Sequence, residues 1–192
     1  MEHIRDVSLI KEVDDEEISE IENQNSSGET SNTGLFIKNA RIESYDIAHL
    51  AGTNTVGVMT VMEDGELKKS DYRKFIIKTA IKGDDYGALK EVLSRRLNHL
   101  EWPLPEILVV DGGKGQLNVA IKTLQNILPA ETFSKIKIVS VVKDDRHKAR
   151  DIMGAETFSK IFTKKTRDQI FLLNQDTHRF AINFHRQKRK LK

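Results

Sequence analysis

From residue 41 onward the spacing of apolar positions changes several times, and each change predicts an element. "RIESYDIAHL" (41–50) and "TVGVMTVME" (55–63) read as strands, and "LKKSDYRKFIIKT" (67–79) as a third. Asp64-Gly65, between the last two, is a hairpin signal. In "GDDYGALKEVLSRRLNHL" the positions Leu89, Val92, Leu93, Arg96, Leu97 and Leu100 keep a 3.6-residue period, so the segment reads as a helix ended by Trp102-Pro103. Asp84 or Asp85 is placed to cap its start. "EILVV" (106–110) is a short, wholly apolar run, as suits a parallel strand buried on both faces. A second helical stripe follows at Leu117, Ala120, Ile121, Leu124 and Leu128, then a strand at "KIKIVSVV" (135–142). The last helix, "RDQIFLLNQDTHRFAINFHRQKRK", turns Ile170, Leu173, Thr177, Phe180, Ala181 and Phe184 to the core.

Upstream the pattern thins. Residues 1–12 look helical, with Ile4, Val7 and Ile10 spaced by three, whereas 13–33 are acidic and then Ser/Asn/Thr/Gly-rich, a disordered linker by composition. The domain proper is expected to be residues 34–192. Three antiparallel strands followed by a βαβ pair predict an α/β fold, a five-stranded mixed sheet flanked by helices in the ribonuclease H-like arrangement. In that arrangement the first and fourth strands are neighbours, which brings Asp46 beside Asp111.

Charge adds a second asymmetry. The whole chain is +2, but residues 1–33 carry −8 and the remainder +10. The last 15 residues hold six Lys/Arg and no acid. A basic body of this kind suits nucleic acid, and a solvated tail is the plainer alternative. With no cysteine in 192 residues, disulfides, thiolate zinc sites and thiol nucleophiles are excluded. No apolar run is long enough for a membrane span, and the N-terminus has no signal or transit character, so a cytoplasmic protein without membrane contact is expected.

Asp46 sits inside a strand pattern that disfavours it, either paired in the core or presented as a metal ligand. Asp111 ends the apolar strand and leads into "GGKGQ". This is no P-loop: Lys114 lies between Gly113 and Gly115 and is followed by Gln116, so both the spacing and the hydroxyl are wrong. The glycines instead allow a tight strand-to-helix turn that offers Lys114 and backbone amides to a phosphate. His178 lies on the flank of the final helix. Two carboxylates from strands and an imidazole from a helix form a donor set for a hard cation, Mg2+ or Mn2+, suited to phosphodiester hydrolysis.

Six segments in order, "YDIAH", "YRKFIIKT", "GDDYGALKEVLSRR", "VVDGGKGQLNVA", "VVKDDRHKARDI" and "HRFAINFHRQKR", resemble the C-terminal endonuclease domain of UvrC, the incision subunit of bacterial nucleotide-excision repair. The resemblance covers roughly residues 41–190, and "EHIRDVSLIKE" (2–12) looks like the stretch following that family's UvrB-binding hairpin. It implies a metal-dependent endodeoxyribonuclease making the 5′ incision at damaged double-stranded DNA, with UvrB as partner and no nucleotide cofactor. Its catalytic set falls on Asp46, Asp111 and His178, with Asp84 and Asp85 at the family's acidic pair and Asp85 linked to incision; N-capping is the alternative for both. Lys114, Gln116, Lys143, Arg179 and Arg186 are implied as phosphate contacts or support. Asn174 and Gln175 stand where the family has an Arg-Asp pair, and the family's N-terminal nuclease and helix-hairpin-helix modules are not in this sequence. The competing expectation is therefore a domain of the same fold that binds DNA without cutting it.

Overall fold

The computed structural model describes residues 40–49, 55–81, 83–143, 149–158 and 162–190. The helix expected at 1–12 and the linker expected at 13–33 lie outside these residues. The core is a seven-stranded mixed sheet with helices on both faces. In chain order the elements are β1 (Ile42–His49), β2 (Thr55–Glu63), β3 (Glu66–Leu67), β4 (Arg73–Ile76), α1 (Asp85–Leu97), β5 (Ile107–Asp111), α2 (Lys114–Ile127), α3 (Ala130–Lys135), β6 (Lys137–Lys143), β7 (Ala149–Met153) and α4 (Lys164–Lys190). The strand order is β3-β2-β1-β5-β6-β7, and β4 pairs along β2 as well. β1, β5 and β6 run parallel, and the outer pairings are antiparallel. No helix of the described residues is long and apolar enough to cross a membrane.

The ribonuclease H-like mixed sheet is as expected, but with seven strands in place of five. The segment read as one strand over 67–79 is two strands, β3 and β4, separated by a 3-10 turn at Lys69–Asp71. Both lie on β2, β3 against its last residues and β4 against Val56–Met59, so one long partner is covered in two pieces. Asp64 and Gly65 have φ of 54° and 80°, the paired left-handed geometry of a two-residue hairpin turn. The other addition, β7, is short, and the adjacent charges Arg150 and Asp151 in "ARDIM" break the alternation that marks a half-buried strand. α1 stops at Leu97, one turn short of the expected end, and Leu100 is 91% exposed.

Side-chain alternation divides the core into two layers. Tyr45, Met59, Val61, Leu108 and Val110 face α1 and α2, packing on Leu89, Val92, Leu93, Leu117 and Leu124. Ile42, Met62, Ile107, Val109, Val139 and Val141 face the other way, onto Ile170 and Leu173 of α4. Helix α1 comes within side-chain contact of the sheet at Gly57, where an added Cβ would stand 2.3 Å from Val92 Cγ2.

Polar groups pin the first layer. Glu43 is fully buried and accepts from Arg96 Nε at 3.0 Å and Nη2 at 2.8 Å, from Arg41 Nε at 3.1 Å and from the Tyr45 hydroxyl at 2.6 Å. Arg96 Nη2 also donates to Pro103 O at 2.5 Å, and Arg41 Nη1 to Asp71 at 2.7 Å. This explains an arginine on the apolar stripe of α1: it reaches through the core to a carboxylate on β1.

A second anchor holds the segment after β4. Glu91 accepts from the backbone of Lys78 and Thr79 and from the Thr79 hydroxyl, at 2.7–3.1 Å, and pairs with Arg95 at 3.2 Å. Burial alone would raise its pKa, but the Thr79, Lys78 and Arg95 donors outweigh it and hold the carboxyl down at about 2. Because the folded value is depressed, Glu91 contributes its stability above the unfolded value near 4.5 and loses it as the pH falls from there toward 2. Glu91→Gln is expected to cost about 1.5–3 kcal/mol at neutral pH, the range for hydrogen bonds to a charged group. Denaturant melts at pH 7 and pH 3 check this: the gap between wild type and variant must shrink at the lower pH.

Candidate metal and nucleic-acid site

The carboxyl ends of the central parallel strands come together at one edge of the sheet, where functional groups gather in folds of this class. The register that pairs Tyr45 with Val110 sets Asp46 level with Asp111. Both share the side-chain direction of Val109, toward α4. From that helix His178 reaches over the edge, its Nδ1 3.3 Å from Asp46 Oδ2. One ligand atom from each of Asp46, Asp111 and His178 lies within 4.8 Å of the others. The Asp46 side chain is 14% exposed and that of His178 52%, so the cluster opens to solvent on the helix side.

The height and rotation of α4 are set just beneath. Thr177 is buried, its hydroxyl 2.6 Å from that of Thr60 on β2 and 2.7 Å from Leu173 O one turn back. The next residue is His178. Asp176, on its other side, accepts from the Tyr72 hydroxyl at 2.6 Å and from Arg179 Nη2 at 2.8 Å. Partial burial and the Asp176 carboxylate both push the Tyr72 phenol pKa upward, so the phenol stays a donor across the neutral range.

The other expected residues divide. Asp84 is the N-cap of α1, its Oδ1 accepting from Gly87 N at 2.8 Å. Asp85 is not the cap: it hydrogen-bonds Nε2 of His49, whose Nδ1 lies 3.1 Å from Thr55 Oγ1. This pair is on the α1 face of the sheet, and Asp85 is not among the three residues clustered around Asp46. His49 went unremarked in the sequence, although it is the histidine of "YDIAH", three residues beyond Asp46.

Lys114 opens α2 and is exposed. Gln116 instead holds the glycine turn, its Oε1 accepting from Gly113 N at 3.1 Å. Gly112 N donates to Val141 O at 3.1 Å. The amides of Gly112 and Gly113 are thus engaged, by Val141 on β6 and by the Gln116 side chain. Gly112, at φ 138°, makes the turn possible. Arg179 is 63% exposed and ion-paired with Asp176. The side chains of Lys143 and Arg186 lie outside the described part of the molecule. Asn174 is buried, with its Oδ1 lacking a hydrogen-bond partner, and Gln175 is exposed.

Residues 31–183 match the UvrC RNAse H endonuclease domain family. The UvrABC system protein C of Caldicellulosiruptor saccharolyticus is 39% identical over 158 residues, which are 78% of this chain and 25% of that protein. That of Streptococcus uberis is 37% identical over 155 residues, 78% and 26% of the two chains. The chain thus spans about a quarter of the length of these curated relatives. Among solved structures, human ENDOV overlays with a TM-score of 0.39 at 12% identity, covering 67% of this chain and 57% of that one.

Proposed function

This chain belongs to the UvrC RNAse H endonuclease domain family, and from that premise we propose that it is the metal-dependent endonuclease unit that makes the 5′ incision at damaged double-stranded DNA, acting on a UvrB–DNA complex. The observation that carries the proposal is the convergence of Asp46, Asp111 and His178. Two carboxylates and an imidazole, one donor atom each within 4.8 Å, fit a hard divalent cation, Mg2+ or Mn2+. A divalent ion held by Asp46, Asp111 and His178 would supply Lewis-acid activation of a phosphodiester and of the attacking water.

The chain's own residues supply the rest. Asp46 and Asp111 bring the negative charge that holds the cation at the strand ends. Asp46 also orients the imidazole of His178 through Nδ1, leaving Nε2 to ligate or to accept a proton. Lys114 and Arg179 line the approach with positive charge that offsets the phosphates. Asp85 acts at one remove, holding His49 at the end of β1.

The second reading, a domain that grips DNA without cutting it, is favoured by one observation. Asn174 stands at the position of the family's arginine and buries a side-chain oxygen with no partner. A nicking assay separates the two. Lesion-bearing duplex, with and without UvrB, is incubated in magnesium, manganese or EDTA. Nicking on the 5′ side of the lesion that EDTA abolishes is expected. Salt-sensitive binding with no nicking in either metal, UvrB included, would leave the second reading standing.

A further inference from the structure

We propose that Tyr86, seated on Gly115 beside Lys114, is a stacking platform for an unpaired nucleotide of the DNA strand crossing this edge of the sheet. The proposal rests on DNA being the ligand, not on its being cut. Tyr86 is 51% exposed and is the only aromatic among the exposed large hydrophobic residues of the described chain. It is also held in place. Asp84 caps the helix turn that carries it, and Asp85 ties the same turn to His49.

Its far end is lodged in a gap made by a glycine. A Cβ on Gly115 would stand 2.3 Å from the Tyr86 hydroxyl oxygen and 2.7–2.8 Å from ring carbons. The ring therefore leans across the first turn of α2, four residues past Asp111. Exposed lysines flank it: Lys114 on α2, and Lys90 one turn along the same face of α1. The neighbouring acids are both engaged, Asp84 on the Gly87 amide and Asp85 on His49. An anchored, half-exposed ring between lysines is the arrangement that binds single-stranded nucleic acid, the ring taking a base face and the lysines the backbone. A tyrosine serving only to fill space over Gly115 would be covered.

The test uses the full chain carrying Asp111→Ala, so that binding is read without cleavage. The probes are duplexes with 2-aminopurine placed inside a short unpaired bubble. Tyr86→Ala is expected to weaken binding about 5- to 100-fold and to abolish the quenching that stacking causes, in keeping with roughly 1–3 kcal/mol per stacked base. Tyr86→Phe keeps both affinity and quenching. Gly115→Ala dislodges the ring and reproduces Tyr86→Ala, and the double variant is no weaker than either single one. Circular dichroism confirms folding, and Tyr86→Trp, which restores a ring, serves as the rescue. Wild-type affinity in Tyr86→Ala, a Tyr86→Phe as weak as Tyr86→Ala, or no binding of the Asp111→Ala chain to any probe would each overturn the proposal. Tyr86-dependent binding without nicking by the parent chain in magnesium or manganese, UvrB included, would refute the nuclease reading and leave the platform intact. Nicking with a neutral Tyr86→Ala would do the reverse.

Discussion

Asp111→Ala is expected to reduce nicking by roughly a thousandfold or more, the scale of losing a group that organises charge in the transition state. Duplex affinity should stay within about threefold of wild type, because the lost group is an anion and cations, not carboxylates, supply the electrostatic affinity for DNA. Asp46→Ala should behave alike, since its carboxylate stands level with Asp111 and also orients His178. His178→Ala should lose about a hundredfold or more, as for removal of a proton-transfer group. Combining any two should add little, because groups that hold one ion fail as a unit. Manganese affinity, read by calorimetry, should fall in all three variants. Cleavage by Asp111→Ala at the wild-type rate would remove the metal cluster as the reactive centre.

The second large effect concerns stability. Glu43→Ala strands the buried guanidinium of Arg96 and removes one partner of Arg41, and is expected to cost about 3–5 kcal/mol. For a chain of this length that lowers Tm by roughly 10 °C or more. Burial would lower the Arg96 pKa, yet the Glu43 carboxylate outweighs it, so the guanidinium stays charged and needs its partner. Burial next to Glu43 likewise raises the Tyr45 phenol, which therefore remains a donor to that carboxylate. Arg96→Met alone should cost a similar amount. The pair Glu43→Met with Arg96→Met should cost less than the sum, because no isolated charge is left between β1 and α1 and Arg41 keeps Asp71. A double-mutant cycle in guanidinium chloride reads the coupling directly. Strict additivity would mean that the two residues do not act as a pair.

How much of this was legible from the residues depended on the reach of each signal. The turn at Asp64-Gly65, the buried run before Asp111 and the stripe of α4 are local patterns, and each appears where its residues indicate. The adjacency of Asp46 and Asp111 followed from topology, since parallel pairing of β1 with β5 leaves one register that buries both apolar runs. What could not be read was contact between elements with no shared period. Glu43 lies in an apparently polar half of β1, and its burial depends on Arg96 arriving from 53 residues away. The split of β3 from β4 depends on Arg41 and Lys68 gathering Asp71 into the 3-10 turn. His49 and Asp85 look unrelated in the sequence, and only the meeting of a strand end with a helix start joins them.

The reach of α4 has a consequence for timing. His178 meets Asp46 across 132 residues of chain, through the last helix of the fold. A ribosome releases β1 and β5 long before that helix, and chains fold from the N-terminal side as they emerge. Between the synthesis of Asp111 and that of His178 the polypeptide therefore holds both aspartates without the imidazole that joins them, with Thr60 still waiting for Thr177. A prematurely terminated chain would be left in the same condition. The proposed metal site is therefore completed only when α4 docks, and that docking step acts as its safety catch.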